Sequence, residues 1–198
     1  MAATSSGRLL REVRACRLCV DDLPHGPRPV LQYHPGARIL IAGQAPGRRV
    51  HAGGVPFADA SGERLRSWMG IDEATFYTAQ AVAILPMGFC YPGTGSSGDL
   101  PPLPRCADTW RQRLLAGFTG LRLTLVIGQY AQRWHLPEAR ASVTETVAGW
   151  RDLPPAVMAL PHPSPRNNRW LKKNPWFERE LLPELRGRVA RALAGEAV

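Results

Sequence analysis

The sequence predicts a three-layer α/β/α fold around a central four-stranded, mostly parallel sheet, and three observations carry that expectation. Four short apolar runs, residues 37–42 (ARILIA), 81–85 (AVAIL), 123–127 (LTLVI) and 156–160 (AVMAL), lack polar alternation, as strands covered on both faces do. Segments of helical spacing lie between them, notably 62–69, 107–118 and 129–134, and strands that alternate with helices build a parallel sheet. The C-terminal segment aligns Phe177, Leu181, Leu185, Val189 and Leu193 at four-residue steps. That last helix is expected to start near Asn174-Pro175, with Asn capping and Pro in the first turn, and Pro183 is expected to kink it or end its first part. The Gly/Ser/Pro-rich stretch 92–104 reads as a loop too short to link domains, and residues 1–198 are expected to form one domain.

With 198 residues, 44% of them hydrophobic, the chain can build a sizeable core. No run of about 18 apolar residues occurs, and the N-terminal residues show neither the apolar segment nor the cleavage site of a signal peptide. The expectation is a cytoplasmic protein without membrane insertion. A formal net charge of +9 favours a polyanionic partner, although a solvated basic face is the plainer reading. Between Arg166 and Arg191 stand eight Lys/Arg and three Glu, a net of +5, so over half of the excess falls in one stretch. A phosphate backbone is a fitting neighbour.

Parallel sheets bind ligands beyond the carboxyl ends of their strands. Four post-strand segments are therefore the places to search: Gly43 to Gly47 (GQAPG), Pro86 to Gly93 (PMGFCYPG), Gly128 to Tyr130 (GQY) and His162 to Asn167 (HPSPRN). The last holds one histidine between prolines, ahead of an Arg-Asn-Asn-Arg cluster.

Four cysteines are spaced as a C-x2-C pair, Cys16 and Cys19, then seventy residues, then Cys90 and Cys106 with fifteen between them. A disulfide framework is not expected in an intracellular chain of this size. Four unrelated buried thiols are the plain alternative to one shared site. Structural zinc and a cubane iron-sulfur cluster both want four soft thiolates, so ligand type leaves them open.

These residues together resemble the uracil-DNA glycosylase superfamily, most closely its iron-sulfur branches, families 4 and 5. Cys16, Cys19, Cys90 and Cys106 match the cysteine spacing of those branches, and the resemblance implies that they hold a 4Fe-4S cluster, with zinc the alternative. Gly43-Gln44-Ala45-Pro46-Gly47 is similar to the first catalytic motif, GEAPG in family 4. Gly54-Val55-Pro56-Phe57 is similar to a G-x-P-F segment whose Phe stacks on the flipped base, and His162-Pro163-Ser164-Pro165 to the second motif. Two departures stand out. Gln44 replaces the family 4 Glu, and Pro86 occupies the place of the uracil-reading Asn. Family 5 also lacks an acid in its first motif and carries an Asp in an F-T-G-D-A-S-like stretch, which Phe57-Ala58-Asp59-Ala60-Ser61 resembles with one residue fewer.

The resemblance implies a base-excision-repair glycosylase, monofunctional and monomeric, acting on DNA that contains uracil or another deaminated base such as hypoxanthine or xanthine. Such an enzyme must extrude the nucleotide at a cost of a few kcal/mol. His162 is then expected to donate to the base carbonyl as charge develops, an interaction whose loss costs about 3 to 4 kcal/mol. Asp59 is the expected carboxylate for water and the cationic sugar, and Gln44 the alternative for positioning water. Phe57, Ala45, Gly43 and Tyr91 are expected to bind the base, with Gly93 and Gly95 shaping the wall that lacks the Asn. Ser164, Arg166, Asn167, Arg169 and Lys172, with Asn168 and Lys173, are expected to meet the phosphates. Two rivals are a DNA-binding module with a degraded site and covalent capture of the abasic sugar through His51, which follows GQAPG closely.

Overall fold

The structure is a computed structural model that describes residues 2–96, 98–136 and 142–198, with side chains from residue 6 onward. Helix α1 (Ala2–Arg14) precedes strand β1 (Ile39–Ala42), which leads through α2 (Arg48–Gly53), α3 (Ala60–Met69) and α4 (Glu73–Tyr77) to β2 (Val82–Ile84). A small hairpin of β3 (Thr94–Gly95) and β4 (Gly98–Asp99) precedes α5 (Pro104–Leu115) and β5 (Leu123–Ile127). The chain closes with α6 (Gly128–His135), α7 (Val143–Ala148), β6 (Val157–Leu160), α8 (Asn168–Lys173) and α9 (Leu182–Ala194). Among the described residues no helix is long and apolar enough to cross a membrane.

The four expected strands form one parallel sheet in the order β2-β1-β5-β6. Ile39 and Ile41 of β1 enter a core with Leu65 of α3 and Leu185 and Val189 of α9. Leu40, between them, enters a second core with Val13 of α1 and Trp110 and Leu114 of α5. Both faces of the sheet are thus covered, which is why the strand sequences carry no polar alternation.

Element ends differ from the sequence reading for local reasons. Helix α3 starts at Ala60 because Asp59 caps it, its side chain accepting from the Gly62 N–H at 3.0 Å. Helix α5 starts at Pro104, whose missing N–H costs nothing in a first turn, and ends at Leu115. The 92–104 stretch is not a plain loop but holds the β3–β4 hairpin, within which Ser97 lies outside the described residues. At the C-terminus a π-helical turn, Phe177–Leu181, runs directly into α9. Pro183 therefore ends no helix, because the wider i→i+5 turn ahead of it removes the crowding that its ring meets in an α-helix. The same turn absorbs the drift of a four-residue spacing, so Phe177, Leu181, Leu185 and Val189 are all buried.

One buried cation joins several elements. Arg111 of α5, 1% exposed, donates from Nη1 to the carbonyls of Leu85 (3.0 Å) and Pro86 (3.2 Å), just beyond β2. Its Nε and Nη2 face Nε2 of His135 on α6 at 3.1 and 2.6 Å, and its guanidinium lies 5.1 Å from the centre of the Trp134 ring. Burial, and then the Arg111 charge, push His135 down to about 3, so its ring is neutral and accepts. Arg111→Met should leave two carbonyls and a ring nitrogen without donors and lower stability by about 3 kcal/mol, read from the urea midpoint. Unfolded His135 takes up a proton near its ordinary value of about 6.5 that the folded ring refuses. Stability should therefore fall as pH drops below about 6.5, and His135→Gln should flatten that slope in urea titrations at stepped pH.

Candidate active site

A cleft of about 480 Å³ opens beyond the carboxyl ends of β1, β2 and β6, a size suited to a small organic ligand. Its walls come from three of the four post-strand segments: Gly43 to Gly47 after β1, Pro86 after β2, and His162, Ser164, Arg166 and Asn167 after β6. GQY does not line it, since Gly128 starts α6 at once. Backbone bonds lock the first motif to the β2 loop, with Met87 N–H donating to the Gly43 carbonyl (2.8 Å) and Gly88 N–H to that of Gln44 (3.0 Å).

His162 is held from several directions. The Ser164 N–H donates to its Nδ1 at 3.2 Å, the Asn167 amide donates to its carbonyl at 2.7 Å, and Arg64 of α3 donates to the Ser164 carbonyl at 3.0 Å. Burial lowers its pKa, opposed by the carboxylates of Asp59 and Asp99 and assisted by Arg166. The neutral imidazole therefore accepts at Nδ1 and carries its proton on Nε2. Among the described residues no partner takes that N–H, which leaves it as a donor for a ligand.

Across from it lies Phe57, the only non-glycine at positive φ among the described residues (57°). Such a backbone costs of order 1–3 kcal/mol and is kept where its surroundings enforce it. Gly62 permits it: a Cβ there would stand 1.8 Å from the Phe57 carbonyl oxygen. The Phe57 ring lies perpendicular to that of Phe76, reaches within 3.8 Å of the Cβ position of Gly43 and lines the cleft. Asp59 also lines the cleft, with one carboxylate oxygen occupied by its capping bond. Gln44 lines it too, its amide donating to the Leu100 carbonyl at 3.2 Å.

Of the expected residues, His162, Asp59, Gln44, Phe57, Ala45, Gly43, Ser164, Arg166 and Asn167 are brought together. Tyr91 is not. It is fully buried away from the cleft, hydrogen-bonded to the Thr94 hydroxyl and stacked on His25 at 5.3 Å. Gly93 and Gly95 pack under Leu100 at the hairpin root, so no wall is formed by them. His51 faces His25 and Tyr91 instead of the cleft, with its Nδ1 buried and unpartnered among the described residues, so covalent capture finds no geometric support. Arg169, Lys172 and Lys173 are exposed on α8, outside the cleft. Two of the C-terminal cations brace the fold: Arg186 donates to the Ser67 carbonyl, and Arg188 to Glu184 and the Pro155 carbonyl.

Sequence reasoning missed Arg48 and Arg49 of α2, Arg64, and Asp99 of β4. The two arginines directly after GQAPG were the available signal for the first pair; nothing local marked Asp99, which reaches the cleft only because the hairpin folds over it.

The four cysteines line one cavity with Leu18, Leu23, Pro27, Pro29, Phe89 and Leu103. Trp110 Nε1 donates to Cys16 Sγ at 3.3 Å and the Phe89 N–H to Cys106 Sγ at 3.4 Å, contacts that favour thiolate. Burial pushes the Cys90 thiol up to about 11 and that of Cys106 up to about 12, so ionisation at neutral pH calls for a cation. Among the described residues no three His, Cys, Asp or Glu side chains are placed to hold a single metal ion directly. The donor set fits a thiolate-bound group that sits in the shared cavity.

Because Asn caps as well as Asp, Asp59→Asn should keep the melting temperature, whereas Asp59→Ala should lose about 1 kcal/mol. Gly62→Ala should cost about 3 kcal/mol or displace Phe57, and both are readable by thermal melts.

The chain matches the family model of the Uracil DNA glycosylase superfamily over residues 31–186, which takes in the whole sheet, every residue lining the cleft except Val30, and two of the four cysteines. The parallel sheet and the motifs at its carboxyl edge agree with that match, and the chain belongs to the uracil DNA glycosylase superfamily, whose members act on DNA.

Proposed function

We propose that the protein is a monofunctional, monomeric DNA glycosylase of base-excision repair that flips uracil from DNA and hydrolyses its N-glycosidic bond. The observation that carries this reading is the neutral His162, its Nδ1 taken by the Ser164 N–H, in the lining of a cleft that Phe57 and two carboxylates also line. The target base stacks on Phe57. As the bond to the sugar breaks, its electron pair moves onto the base, and the His162 N–H stabilises the growing charge on the carbonyl. Asp59, fixed on the α3 N-terminus, holds a negative charge toward the cationic sugar, and Gln44 helps to orient water. Arg48, Arg49, Arg166 and Asn167 at the cleft, with Arg169 and Lys172 beyond it, meet the phosphates. Pro86 at the wall offers no amide to read uracil, which supports acceptance of hypoxanthine or xanthine as well.

The four cysteines are proposed to hold a 4Fe-4S cluster, a group larger than one metal ion; it would tie the segment of Cys16 and Cys19 to the loop between Cys90 and Cys106 and take no part in the reaction. Iron and acid-labile sulfide should be found in the purified protein, and a colourless preparation with stoichiometric zinc refutes the cluster.

His162→Ala should slow single-turnover uracil release about 100- to 1,000-fold while DNA affinity, from gel shifts, stays within about threefold. Undiminished release would remove His162 from the mechanism.

A further inference from the structure

We propose that Asp99, presented by the β3–β4 hairpin, is a second catalytic carboxylate of this cleft and accepts the proton of the attacking water. The inference rests on the glycosylase reading above and assigns the two carboxylates different tasks.

Asp99 lines the cleft with His162 and Asp59. Its Oδ2 lies 3.5 Å from where a Cβ would stand on Gly47, so the carboxylate hangs over the first-motif loop. The Gln44 amide bonds the carbonyl of Leu100, the next residue, and clips the β4 strand to that loop. The hairpin thereby brings an acid to a motif that has none of its own. On the other side, Arg166 lies against the tip, with a guanidinium nitrogen 2.6 Å from the Cβ position of Gly98.

The two carboxylates are differently placed for proton transfer. Asp59 has an oxygen taken by the Gly62 N–H and a backbone fixed by the α3 cap, which makes it a stationary charge. Asp99 is exposed, and its carboxylate has no hydrogen-bond or ion-pair partner among the described residues, so its lone pairs are open to water. DNA docking on the cleft would cover the hairpin and strip Asp99 of bulk solvent.

In the step, the glycosidic pair leaves with the base, the water oxygen bonds the sugar carbon, and the water proton passes to the Asp99 carboxylate. That proton is returned to solvent or to the departing base, giving free base and an abasic sugar. No oxidant or further reactant is needed. Among the described residues, the charged and titratable groups that line the cleft with Asp99 are Arg48 and Arg49 of α2, Arg166, His162 and Asp59.

The test is single-turnover release of uracil from a duplex oligonucleotide across pH, for the wild type, Asp99→Asn, Asp99→Glu and Asp59→Asn. Asp99→Asn should slow release about 100-fold, keep affinity for undamaged duplex within about threefold, and lose the acidic limb of the pH profile. Asp99→Glu should recover at least about a tenth of the rate. A rate within about threefold of wild type in Asp99→Asn, an unchanged acidic limb, or a parallel loss of DNA binding would overturn the proposal. If the wild type releases no base at all, the glycosylase reading fails and takes this assignment with it, whereas wild-type release with an indifferent Asp99→Asn sinks Asp99 alone.

Discussion

The guanidinium of Arg111 is the joint on which both special regions of this protein depend. It grips the two carbonyls at the exit of β2, Leu85 and Pro86, from a helix whose first turn carries Cys106. Pro86 is a wall of the cleft, while Gly88, Phe89 and Cys90, only a few residues on, line the cysteine cavity. A charge in a dry interior is costly unless it is fully hydrogen-bonded. Here two carbonyls, a neutral imidazole and the face of Trp134 meet that requirement together. Because the requirement is strict, the β2 exit has one arrangement, and the cleft wall and a cysteine of the shared cavity are fixed with it.

The cleft follows a second electrostatic rule. The chain is strongly basic, yet the groups around His162 include Asp59 and Asp99 as well as Arg166. Burial outweighs the acids and keeps the imidazole neutral, and the Ser164 N–H selects the tautomer with a proton on Nε2. A positive rim attracts a polyanion, and a negative interior suits a cation formed at the sugar. The Phe57 backbone adds stored strain at the same place, in a conformation that only a residue without a Cβ at position 62 permits.

Much of this was legible in the sequence. Apolar runs without alternation mark strands covered on both faces, and all four were found, because burial on both sides leaves no position for a polar side chain. Three of the four post-strand segments do line the cleft, since their positions follow from strand direction alone. Contacts between segments distant in sequence were not legible. Asp99 sits in a Gly/Ser-rich stretch that reads as loop, and its place depends on a hairpin folding over GQAPG. Tyr91 stands next to a cysteine and near the cleft in sequence, yet the chain turns it inward against His25. The basic excess of the C-terminus was counted as one patch, whereas periodicity on α9 turns Arg186 and Arg188 onto neighbouring elements. Pro183 read as a break because local rules describe α-helices, and a π-helical turn escapes them.

The central claim is that this cleft breaks the bond between a flipped base and its sugar. The most direct measurement is incubation of the full chain with end-labelled oligonucleotides, each carrying one uracil, hypoxanthine or xanthine, followed by denaturing gels with and without alkali. The account predicts strand breaks at the modified position that require alkali, together with free base in solution. Intact strands after alkali with all three bases, or a heat-stable protein-DNA adduct in place of free base, would contradict it.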